Sequence, residues 1–153
     1  LTPYCEAAHR HGVVLGIEIM RGAGASAPAK IRRFGTDTEV LIRLADELDE
    51  GICWDTGHAN ISLQQQYKSI LKIGKRLKMV HINDNFAEDD VHLAPFLGKI
   101  DWTQTMKGLR EIGYCGSMNL EVKCNALPPE LRESYAAYMA ASGRYLIRLF
   151  ESI

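Results

Sequence analysis

The sequence predicts an α/β fold, a parallel β/α barrel of which this chain carries about four βα units. Two observations predict it. Four short apolar runs, VVLGIEIM, ICWD, KMVHIN and SMNLEVK, alternate with stretches of helical period, the order of a parallel sheet with crossover helices. Within each run the small, polar or ionisable residues share one parity and the bulky apolar residues the other. Gly16 and Glu18 oppose Leu15 and Ile17, and Cys53 and Asp55 oppose Ile52 and Trp54. Met79, His81 and Asn83 oppose Val80 and Ile82, and Ser117, Asn119 and Glu121 oppose Met118, Leu120 and Val122. A barrel strand turns apolar side chains toward the helices and functional ones inward. An open sheet covered by helices on both faces would leave Glu18 and Glu121 without a reason to be there.

Residues 1–12 read as the tail of a helix stopped by Gly12. Residues 13–20 form the first strand, continuous and β-branched as if buried on both faces. Residues 21–35 are a Gly/Ala/Pro-rich loop with a basic tip, Lys30, Arg32 and Arg33. Loops this long in compact domains are as a rule functional or mobile. Thr36-Asp37-Thr38-Glu39 is a capping box, and Val40, Leu41, Leu44, Ala45 and Leu48 supply the stripe of a helix ending near Asp49. The second strand spans 52–55, with a tight Thr56-Gly57 turn and His58 in the loop above it. Ser62-Leu63-Gln64-Gln65 repeats the capping-box pattern, before a helix burying Tyr67, Ile70 and Leu71. Residues 78–83 are the third strand and 84–100 a long acidic loop. Asp101 caps a helix whose inner face is Trp102, Met106, Leu109 and Ile112. Gly113 and Gly116 precede the fourth strand, 117–123. Pro128-Pro129 opens a last helix with Leu131, Tyr135, Tyr138, Met139, Leu146 and Leu149 at helical spacing.

At 153 residues, 46% hydrophobic and 24% charged, the chain is one ordinary globular domain. A net charge of −1 gives no general pull toward nucleic acid or anionic membrane. No apolar run approaches the roughly 20 residues that span a bilayer. Cys5, Cys53, Cys115 and Cys124 form no C-x-x-C pair and read as reduced, small hydrophobes. With no leader pattern, a cytoplasmic location is expected. A complete barrel needs eight strands and about 250 residues. Four strands and Leu1 in place of Met lead to the expectation that residues 1–153 are half of a single barrel domain, truncated at the N-terminus. The alternative is a half-barrel that pairs with another chain, as in a homo-oligomer.

Glu18, Asp55, His81 and Glu121 arrive one per strand, each near a C-terminal end, where barrels build their sites. Three carboxylates and an imidazole meeting at one point repel and desolvate one another unless a cation holds them. An oxygen-rich set with one nitrogen suits Mn²⁺, Mg²⁺, Co²⁺ or Zn²⁺.

The segments GIEIM, CWDTGHAN, MVHINDN, DVHLAPFLGKIDW and GYCGSMNLEV resemble the xylose-isomerase-like TIM barrel superfamily, over nearly the whole chain and as strands five to eight. That superfamily includes sugar and sugar phosphate isomerases and epimerases and, in a sister branch, abasic-site nucleases of the endonuclease IV type. The resemblance implies a divalent-metal site on Glu18, Asp55, His81 and Glu121, with His58 contacting substrate. It implies proton transfer by Glu18 and Glu121 through a metal-stabilised enediolate of a sugar or sugar phosphate. Asp90 and His92, together with His58, match the ligands of a several-zinc cluster in the nuclease branch, although such a D-x-H loop also occurs among isomerase-like members. The words WDTGHAN and HINDN are closer to the isomerases. Free-ketose 3-epimerases of the superfamily carry an arginine shortly after the third-strand histidine; here the sequence reads Asn85-Phe86-Ala87-Glu88, which argues against a tagatose or psicose type of specificity. His9 and His11 read as solvated surface, and Trp54 and Trp102 as core. Lys30, Arg32, Arg33 and the 125–129 turn are candidates for gripping a substrate phosphate.

Overall fold

The computed structural model describes residues 1–22 and 34–153. Among the described residues the sheet has four parallel strands in sequential order, β1 (Gly16–Glu18), β2 (Gly51–Asp55), β3 (Leu77–Ile82) and β4 (Ser117–Leu120). Sequential order with a helical crossover at each step is how a β/α barrel is wound. The helices are α1 (Thr2–Arg10), α2 (Thr38–Leu48), α3 (Thr56–Ile61), α4 (Gln66–Ile73), α5 (Trp102–Glu111) and α6 (Pro129–Ser152).

Gly12 stops α1 as expected: at φ 65° it lets its own N–H reach His9 O and the Val13 N–H reach Ala8 O. The first strand is shorter than expected. Its pairing runs from Leu15, whose carbonyl accepts Gly51 N–H, to Ile19, whose N–H donates to Cys53 O. Val13 and Val14 are half exposed, because among the described residues β1 pairs only with β2 and no further strand covers its other flank. The fourth strand is open on its far flank in the same way, and there Leu120 is exposed.

Two helix starts differ from expectation. Asp37, rather than Thr36, caps α2, its carboxylate accepting the Glu39 and Val40 N–H groups. Ser62 caps no helix start; it closes α3, and its hydroxyl accepts Gly22 N–H. The next helix begins at Gln66 without a side-chain cap, and it buries Gln66, Ser69, Ile70 and Ile73, while Leu71 faces solvent. The 101–112 expectation holds, with Asp101 accepting Gln104 N–H. On α6 Leu146 is buried and Leu131 is exposed; Tyr138 donates to Pro95 O, and the Tyr135 hydroxyl accepts Ala94 N–H, so these tyrosines brace the loop after β3.

The core lies between sheet and helices. Ile52, Trp54, Val80 and Ile82 meet Leu41, Ala45, Ile70, Ile73, Met106 and Leu109 there. Trp54 is wholly buried, its indole N–H donating to Gln66 Oε1. Apolar parity thus faces the helices and polar parity faces the interior. The loop over 84–100 is tied to one carboxylate: buried Asp84 accepts from the N–H groups of Asn85, Phe96 and Ile100 and from the Trp102 indole. Trp102 is therefore core, as expected, and also an anchor.

Candidate metal centre

Asp55 ends β2 and, in place of the expected Thr-Gly turn, caps α3 directly. Its Oδ1 accepts the His58 N–H at 2.7 Å. A cap side chain reaches the N–H three residues on, so the D-x-x-H spacing places His58 on the first turn of a helix with its backbone fastened to the acid. The Thr56 hydroxyl bridges to β3, donating to Asn83 O and accepting Asn83 N–H.

Strand register brings the inward residues together on a stagger. Asp55 pairs with His81, while Glu18 pairs with Cys53, one inward position lower. Glu121 stands one inward position above Asn119, the partner of His81, and its N–H continues the ladder to Ile82 O. Glu18, Asp55, His81 and Glu121 each present a ligand atom within 4.8 Å of the others. His81 Nδ1 lies 2.9 Å from Glu121 Oε2, 3.4 Å from Glu18 Oε1 and 4.0 Å from Asp55 Oδ2. None of these approaches is oriented as a hydrogen bond, and Nδ1 is buried without a partner. A ring nitrogen buried among three carboxylates is a donor set that a divalent cation of the Mn²⁺, Mg²⁺, Co²⁺ or Zn²⁺ kind fits.

His58, Asp90 and His92 form a second group of the same span. His58 Nδ1 lies 3.0 Å from Ile19 O and 3.3 Å from Glu18 Oε1, and His92 Nδ1 lies 2.8 Å from Glu121 O. Both Nε2 atoms turn to Asp90 Oδ1, at 3.7 and 3.1 Å, and that oxygen has no hydrogen bond. The two groups share a wall, since His58 touches Glu18 and His92 sits on the Glu121 backbone.

Burial works against a charge on His58, but the Glu18 hydrogen bond, Asp55, the Ile19 carbonyl and Asp90 prevail and push it up to about 9. The same hydrogen bond, against burial and with His81 assisting, holds Glu18 below the usual carboxylate range. Burial raises Asp55 above it. Cys53 faces inward too, but burial and the carboxylates of Glu18, Asp55 and Glu121 push its thiol up to about 12, so it is a small filler beside the site.

Residues 1–141 match the family described as "Xylose isomerase-like TIM barrel". The chain belongs to that family. An uncharacterized protein of Methanocaldococcus jannaschii is 30% identical over 131 residues, 80% of this chain and 41% of that protein. A D-tagatose 3-epimerase-like protein superposes with a TM-score of 0.68 at 25% identity, over 93% of this chain and 52% of that structure. A xylose isomerase domain protein from Alicyclobacillus acidocaldarius reaches 0.78 at 20% identity, over 96% and 55%. The chain thus spans less than half of that relative and about half of these solved xylose isomerase-like structures, a partial TIM barrel as the motifs implied.

Several residues at the site were not singled out by sequence reasoning. Arg21 stands with Nε 3.6 Å from Asp90 Oδ2, a cation supplied by the loop after β1. Asn83 donates to Asp55 Oδ2, and Asn85 donates to Gly57 O and accepts from Asn60. The run Asn83-Asp84-Asn85, polar yet directly after a strand, was the available signal. His9 on α1 is not simply solvated: its Nε2 lies 3.2 Å from buried Glu50. Lys30, Arg32 and Arg33 lie outside the described residues. No helix among the described residues is long and apolar enough to cross a membrane.

Proposed function

We propose that the protein is a metal-dependent isomerase or epimerase of a sugar or sugar phosphate, working by proton transfer next to a carbonyl. The observation that carries this is the His81 nitrogen, unbonded among Glu18, Asp55 and Glu121. The family, and the likeness to a D-tagatose 3-epimerase-like protein, support it. On this reading Glu18, Asp55, His81 and Glu121 would hold the cation, and its chemistry there would be Lewis acidity toward a sugar carbonyl. Glu18 and Glu121 are partly open to solvent at the two ends of the row. One, ionised, would take the carbon-bound proton beside the carbonyl, and the other, entering the step protonated, would give its proton back to the opposite face. Buried Asp55 cannot reach substrate in the same way and serves to hold charge and place. His58, with its backbone fixed and its ring at the Glu18 carboxylate, donates a hydrogen bond to a substrate oxygen. The complete working unit includes the other half of the barrel, which closes the open flanks of β1 and β4.

The test is exchange of a carbon-bound sugar proton with D₂O by the full-length protein and Mn²⁺, across ketoses and their phosphates. Exchange that Glu121→Gln lowers by a factor of about 10² or more is expected; an inert panel counts against the reading. A second reading, a zinc-dependent abasic-site nuclease of the endonuclease IV type, is favoured by one observation, the His58–Asp90–His92 group. Its test is cleavage of an abasic duplex after Zn²⁺ loading. The net charge of −1 weighs against a nucleic-acid surface.

A further inference from the structure

Asn83 follows β3 on the inward parity and is completely buried. Its Nδ2 donates to Asp55 Oδ2 at 2.9 Å, while its Oδ1 has no hydrogen-bond partner among the described residues. A buried amide oxygen left unbonded costs stability, so a core that wanted only volume here would use an aliphatic residue. The backbone is held in place as well, both its N–H and its carbonyl being engaged by the Thr56 hydroxyl. Room for the side chain is made by Gly57, where a Cβ would lie 1.8 Å from Asn83 Oδ1. Thr56, Gly57 and Asn83 therefore cooperate to deliver a single N–H to a single carboxylate oxygen.

Asp55 needs that donor. It is fully buried, and a buried carboxylate oxygen must be met by a hydrogen-bond donor. Its Oδ1 is bonded to the His58 N–H, so Asn83 is what fixes Oδ2 and with it the plane of the carboxylate beside His81. Polar groups behind a ligand orient it and set metal affinity.

We propose that Asn83 is a positioning residue for Asp55, its side-chain N–H setting the carboxylate that faces His81 so that the Glu18–Asp55–His81–Glu121 group takes a divalent cation tightly. This rests on the reading of those four residues as the ligand set. Co²⁺ binding to the chain, followed by calorimetry and by the visible d–d bands, tests it. Asn83→Leu, close in volume, is expected to weaken Co²⁺ binding 10- to 100-fold and to change the bands. Gln66→Leu is the contrast, since it removes buried hydrogen bonds to Trp54 and Thr56 on the helix side of the sheet. It is expected to lower Tm while leaving Co²⁺ affinity and bands unaltered. In the unaltered chain, an Asn83 side-chain ¹⁵N–H resonance is expected to be protected from exchange and to shift on adding Zn²⁺, a measurement independent of how the variants fold. Unchanged affinity and bands in Asn83→Leu, or an Asn83 resonance indifferent to Zn²⁺, overturns this inference alone. No Co²⁺ binding by the unaltered chain overturns the ligand set and this inference together.

Discussion

Between pH 6.5 and 9 the metal-free protein should lose stability, and His58 should be the cause. Its folded value of about 9 stands above the ordinary 6.5. A base whose pKa is raised by folding stabilises fully below its unfolded value and loses that contribution as pH climbs through the folded one. The difference corresponds to ~3 kcal/mol at about 1.4 kcal/mol per unit. Little is lost to solvent screening, because the His58 side chain is only 11% exposed. Other shifted groups act outside this window. Glu18, depressed, contributes above its ordinary 4.5 and loses that in acid. Cys53, raised to about 12, withdraws stability only above its ordinary 9.0. Urea unfolding in EDTA at half-unit pH steps measures the slope, and ring-carbon NMR of His58 measures the titration itself. A decline on the order of 3 kcal/mol, abolished in His58→Gln, is expected. Midpoints that stay level over this range, or a His58 ring titrating near 6.5, would refute the charge arrangement drawn around it.

Asp84→Asn should cost about 2–4 kcal/mol, read as a fall in Tm, because it disturbs a carboxylate that gathers three backbone N–H groups and the Trp102 indole. Gly57→Ala should destabilise by roughly 1–3 kcal/mol through its collision with Asn83, whereas Gly113→Ala, at φ 66° with open space around it, should cost only about 1 kcal/mol; chemical denaturation separates the two. A thiol reagent should label exposed Cys115 in the native chain and spare buried Cys5 and Cys53, which mass spectrometry of the labelled peptides would show.

Much of the fold was readable because barrel strands carry a two-residue alternation, and the four inward groups fell on one parity before any contact was known. The cap of α5 at Asp101 and the stop at Gly12 are local chemistry and were equally plain. The short helix α3 was not, since TGHANI has no apolar period and is held by Asp55 and by burial on nearly every side. Ser62 looked like a cap because its neighbours have the right letters; its actual partners, Gly22 and Met20, come from a segment 40 or more residues away. Asn83 and Arg21 were missed for the same reason, each defined by a partner on another strand or loop. Val13 and Val14 read as buried because a barrel strand normally has neighbours on both sides, and here the described residues supply a neighbour on one side.

The measurement that bears most directly on the central claim is anomalous diffraction from crystals of the protein grown with Mn²⁺. The account predicts one ion bonded to oxygens of Glu18, Asp55 and Glu121 and to Nδ1 of His81. An ion held only by His58, Asp90 and His92, or no ion within reach of His81, would contradict it.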